Sequence, residues 1–112
     1  VSGISRSSGN IFVNNNDTSN GIISFATNTN DRWKIDFSGH FVPANNNDVN
    51  IGSSSKRVAN VYTNDLNLSN EGSSNDVDGT WGNYTIQEGY EDLFLINNRT
   101  GKKFKFNLTE VS

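Results

Sequence analysis

Trp33, Ile35 and Phe37 alternate with Lys34, Asp36 and Ser38. An apolar residue at every second position marks a half-buried β-strand, because successive strand side chains point to opposite faces. Gly39 interrupts the alternation, His40 to Val42 resume it, and Pro43 ends it, having no N–H to give a ladder. The run Asn45 to Asp48 reads as a turn, since Asn and Asp bond their own backbone and tolerate left-handed dihedrals. Val49 and Ile51 then flank Asn50, and Leu66 and Leu68 straddle Asn67. Other strand-like runs are Ile11 to Val13, Ile22 to Ala26, Trp81 to Gln87, Asp92 to Asn97 and Lys102 to Thr109. Turn residues separate these runs roughly every ten positions, the rhythm of an all-β chain. No window sustains a helical period. The best helical segment, Ser55 to Tyr62 with Ser55 as N-cap, has room for only a turn or two.

The clearest local expectation is a C-terminal hairpin over 92–109. Leu93 to Ile96 is apolar on both faces and should lie inside a sheet with a strand on each side. In the second arm Phe104, Phe106 and Leu108 alternate with Lys103, Lys105 and Asn107. Asn98 to Gly101 supplies the turn, with Gly101 at the place for a positive φ.

Only 32% of the residues are hydrophobic, so a lone chain of 112 residues buries a thin core. Yet the net charge is just -3 and seven Phe are present, which a disordered tail does not carry. Both facts are met if the chain completes its core with other copies of itself. The absence of Cys excludes disulfide and thiol chemistry within the sequence. The absence of Met and the opening on Val1 suit the end of a longer polypeptide, or a processed one. A pI near 4.9 argues against nucleic acid as a partner, and no apolar run reaches membrane-spanning length. Arg99, Lys102, Lys103 and Lys105 form a weak basic cluster that reads as a solvated hairpin face.

Glycan cleavage needs two carboxyl groups flanking one sugar bond. The acids Asp31, Asp36, Asp48, Asp65, Glu88, Glu91 and Asp92 are scattered, and the last three share a Gly-containing turn. The one His, His40, has no nucleophile elbow to serve, so no catalytic residue is assigned. As a metal ligand His40 would need copies of itself from other chains, and packing is the preferred role. Ser74 to Gly79 has the Asp-x-Asp-Gly flavour of a calcium loop but lacks the distal Glu, and turn chemistry accounts for it. No metal or cofactor is therefore expected. Trp33 is in phase with Ile35 and Phe37 and reads as core. Trp81, beside Gly79 and Gly82, and Tyr84 are the candidates for contact with a glycan or receptor.

Two stretches carry a family resemblance. Residues 32–63 follow the pattern R-W-x-I-x-x-x-G-x-F-x-P, then D-x-x-I-G-S-S-S-x-R-x-x-x-V-Y-T. This resembles a segment of tail fibres and tailspikes of tailed bacteriophages, found ahead of endosialidase-type chaperone domains. Residues 81–108, from Trp81 to Leu108, resemble the C-terminal end of fibre-like virion proteins of cyanophage type. The resemblance implies an intertwined homotrimeric β fibre ending in a hairpin or meander, located in the virion, contacting other tail proteins and aiding host attachment. It implies a shaft-like segment over 1–68, a polar connector over 69–79 and a C-terminal β-meander cap over 80–112. The expected trimer core is Trp33, Ile35, Phe37, Phe94, Phe104 and Phe106. The competing reading is a monomeric or dimeric carbohydrate-binding β-sandwich.

Overall fold

A computed structural model describes residues 3–112. It is all-β: nine antiparallel strands and no helix among the described residues. The chain divides into two compact units, Val1–Val58 and Ala59–Ser112.

The first unit holds a hairpin of β1 (Gly3–Ser7) and β2 (Asn10–Asn14), closed by Ser8 and Gly9. Both turn residues have positive φ, the two-residue geometry whose twist matches that of paired strands. Its second sheet is a meander of β3 (Ile23–Thr27), β4 (Asn30–Ile35) and β5 (Phe41–Pro43). Ile35 pairs with Ile23 and Phe41, and Trp33 with Phe25 and Pro43, so all six residues share one face. The opposite face carries Ser24, Lys34 and Val42. On the apolar face Trp33 stacks on Phe41 at 4.8 Å with an interplanar angle of 6°, and Phe25 meets Phe41 edge-on at 6.2 Å.

Phe37 is not the third member of this strip. The chain reverses after Ile35, and Phe41 takes the place opposite it. The cause is Asp36, whose carboxylate accepts the backbone N–H of Ser38 and His40 while its own N–H donates to the His40 carbonyl. Gly39, at φ 90°, completes the turn. These bonds hold the Asp36 carboxyl below its ordinary value of 3.8, the His40 amide contributing most. A depressed folded-state pKa stabilises above 3.8 and ceases to do so as pH falls through the lower folded value. The melting temperature of the native protein should therefore exceed that of Asp36→Asn at neutral pH. The gap should close as the pH is taken below 3.8. A gap independent of pH would show that the charge on Asp36 plays no part.

The Gly52 to Arg57 loop is irregular, and the helical expectation for Ser55 to Tyr62 fails. The Ser53 hydroxyl accepts the Lys56 N–H, the Ser53 N–H donates to the Lys56 carbonyl, and Arg57 Nη1 donates to the Ser54 carbonyl. Those bonds satisfy the backbone locally and remove the gain from continuing as helix. Gly52 sits at φ 81° with the Lys56 carbonyl 3.1 Å from where a Cβ would stand. The G-S-S-S-x-R pattern is thus a loop-closing device.

The second unit is a four-stranded meander, β6 (Leu66–Ser69), β7 (Asn83–Glu88), β8 (Leu93–Asn97) and β9 (Lys103–Lys105). The boundary read at residue 68 falls within β6, which pairs with β7 and so belongs to this sheet. The expected hairpin is present in its turn and first arm, with β8 between β7 and β9 and Gly101 at φ 77°. The second arm is shorter than expected, since β9 ends at Lys105 and Leu108, expected inward, is 70% exposed. Gly101→Val should lower stability by about 1 kcal/mol or more, read from denaturant midpoints. An unchanged midpoint would mean that the turn relaxes without cost.

One face of this sheet carries Leu66, Leu68, Tyr84, Ile86, Leu95 and Phe104, with Glu88 and Leu93 at its β7–β8 turn end and Asn97 at the other. The other carries Asn67, Thr85, Gln87, Phe94, Ile96, Lys103 and Lys105. Phe94 and Phe104 therefore lie on opposite faces and cannot share one apolar cluster within the sheet. On the polar face the Thr85 hydroxyl donates to Asn67 Oδ1 at 2.7 Å and accepts from Asn98 Nδ2 at 2.9 Å. Thr85, 7% exposed, is buried, whereas no hydrophobic side chain is buried among the described residues.

Candidate functional site

The two sequence candidates for recognition, Trp81 and Tyr84, line a cleft of about 620 Å³ with Asn70, Asn75, Asp78 and Thr80. The 70–82 loop that walls it is built by short polar side chains. Asn75 Oδ1 accepts the N–H groups of Val77 and Asp78, and Asn75 Nδ2 donates to Asp78 Oδ1 and to the Thr80 carbonyl. Asp78 Oδ1 also accepts the Thr80 N–H and hydroxyl. Asn75 first, then Thr80, holds the Asp78 carboxyl below its ordinary value of 3.8. The calcium-like sequence thus spends these oxygens on closing its own turn. Asn70 Oδ1 accepts the Gly82 N–H at 2.8 Å and ties the loop to the start of β7.

Trp81 is half-buried. One face of its indole is occupied: the Arg99 guanidinium lies 3.7 Å from the ring centroid, and Arg99 Nη1 donates to the Trp81 carbonyl at 3.0 Å. Such a contact contributes about 0.5–1 kcal/mol at an exposed site and fixes the ring plane. Only the opposite indole face is left for a stacked ligand. The sequence alone places Arg99 in a solvated basic cluster. The register explains the difference. Tyr84 pairs with Asn97, so the residues just before β7 and just after β8 meet at the same end of the sheet.

Tyr84 belongs both to this cleft and to the apolar face, where it neighbours Leu68, Leu95 and Phe104. Its ring lies over Gly82, within 2.9 Å of where a Cβ would stand. Trp81 and Tyr84 therefore share a cleft but present different surroundings, one polar and cationic, the other apolar.

The remaining candidates lie apart. His40 is exposed in the Asp36 turn. Glu88, Glu91 and Asp92 are exposed around the β7–β8 turn, which the Gly89 N–H closes on the Asp92 carbonyl. No group of three His, Cys, Asp or Glu placed to hold a metal occurs among the described residues. Trp33 and Ile35 are half-buried and Phe37 is 56% exposed; Phe94 and Phe104 are exposed, and Phe106 is half-buried with its N–H on the Leu93 carbonyl. Val58 and Val61 are exposed in the single chain. No family model, no curated protein and no solved structure matches this chain.

Proposed function

We propose that the chain is a structural segment of a virion fibre of a tailed bacteriophage, assembled as a homotrimer and contributing to host attachment without catalysis. The observation that carries this reading is surface. A compact monomer of 12.3 kDa exposes about 6,100 Å², and even two separate compact bodies of half that mass expose about 7,400 Å². This chain exposes 9876 Å². The excess comes with two sheets that are each apolar on one face, including Phe25 at 50% and Phe41 at 56% exposure. A chain that folds into such sheets without a core is completed by further chains. The patterns R-W-x-I-x-x-x-G-x-F-x-P and I-G-S-S-S-x-R support the fibre assignment among oligomeric β proteins. Against a carbohydrate-binding sandwich stands the lack of any buried hydrophobic side chain among the described residues, since a sandwich covers two inner faces.

In this role the protein works mechanically. Interlocked chains resist unfolding, and loops such as 70–82 are offered to the host surface, with the free indole face of Trp81 as the stacking element for a glycan. Antibodies against the chain should label tail appendages of the virions that carry it, and added protein should lower adsorption to host cells. Absence of label from the particle, with adsorption unchanged, would overturn the assignment.

A further inference from the structure

We infer that a second copy of the chain covers the face formed by Leu66, Leu68, Tyr84, Ile86, Leu95 and Phe104, while the Phe94 face stays in solvent. This rests on the self-assembly reading above and specifies which surface carries it. The two faces of the sheet differ in kind. The first carries one charged side chain, Glu88, at its β7–β8 turn end opposite Leu93; the six residues that span the four strands between that end and Asn97 are uncharged. Leu66, Leu68 and Phe104 on it are 44%, 49% and 47% exposed. The second is already finished: Thr85, Asn67, Asn98 and Asn83 bond to one another across it, Gln87 Nε2 donates to Asp65, and Lys103 and Lys105 flank Phe94 and Ile96. Satisfied amides and lysines belong in water; an uncharged patch of Leu, Ile, Tyr and Phe spanning four strands does not.

The area agrees with copies of this chain as the occupant. A stable contact removes about 800 Å² per partner. The chain's excess over two compact bodies is about 2,500 Å², enough for contacts with two neighbours and more than a single standard contact takes up. A closed ring of identical chains gives every copy two neighbours. The edges agree with this arrangement. The Lys103 and Lys105 side chains guard β9 against further strand pairing, so the sheet offers its face in preference to that edge.

The natural chain has no Cys, so a single introduced thiol reports one position. Leu68→Cys and Phe104→Cys place it on the apolar face, and Lys105→Cys on the opposite one. Each full-length variant is sized in solution and then treated with a thiol reagent under native conditions. The expected result is an assembled protein in which positions 68 and 104 react at least about 100-fold more slowly than position 105. An assembled protein whose thiols at 68 and 104 react as fast as that at 105 would overturn the face assignment and leave self-assembly standing. A monomer with all three thiols reactive would overturn both. Leu68→Ala and Phe104→Ala guard against a local effect of the thiol: each should shift the midpoint of assembly to higher protein concentration, and Lys105→Ala should not.

Discussion

Trp33→Ala is expected to lower stability by about 3–5 kcal/mol per copy, the range for removing a large aromatic from a packed site. Within one chain Trp33 is half-buried, held by the stack on Phe41 at 4.8 Å and by its place opposite Phe25 and Pro43. Those contacts account for part of the loss. On the proposed self-assembly the rest arises because other chains complete the uncovered face of Ile23, Phe25, Trp33, Ile35, Phe41 and Pro43. Lys34→Ala, one residue along and on the opposite face, should change stability by no more than about 0.5 kcal/mol. Chemical denaturation at fixed protein concentration measures both. A loss at Trp33 no larger than that at Lys34 would show that this face is solvated in the native protein.

Ile86→Asp should abolish assembly outright. Ile86 is half-buried on β7, paired with Leu66 on one side and Leu95 on the other, at the middle of the apolar face. A carboxylate there would be buried without a partner, which costs several kcal/mol per copy. In the proposed trimer, three equivalent charges drawn toward one another would add repulsion to that cost. Light scattering should report single chains for this variant, and circular dichroism should show how much β structure a single copy keeps. Lys103→Asp, on the polar face, should leave the mass of the assembly unchanged. If Ile86→Asp assembles as well as Lys103→Asp, the centre of this face is not an interface.

The strands and turns were legible in the sequence where the signal is local. Asn98 to Gly101 specifies a turn through its own backbone, and Leu93 to Ile96 needs a partner on each side, which β7 and β9 supply. What escaped a linear reading depends on register. Alternation through Trp33, Ile35 and Phe37 continues on paper, but Asp36 captures two backbone N–H groups and turns the chain before Phe37. Phe41, on the far side of that turn, completes the apolar strip. Phe94 and Phe104 look equivalent by composition, yet Phe94 pairs with Lys105 and Phe104 with Leu95, so the two rings face opposite ways. Read linearly, Leu66 and Leu68 close the preceding segment, because nothing local shows that their partners lie across the 70–82 loop in β7. The placement of Arg99 over Trp81 has the same origin: antiparallel pairing brings together residues 18 positions apart.

All of these results turn on whether the apolar sheet faces are covered by copies of the same chain. The mass of the natural protein in solution, measured by multi-angle light scattering across a range of concentrations, tests that most directly. The expected value is three times 12.3 kDa, stable on dilution, with a cooperative thermal transition. A monodisperse species of 12.3 kDa with an equally cooperative transition would contradict it, because a chain that folds firmly alone has no need of partners to complete its core.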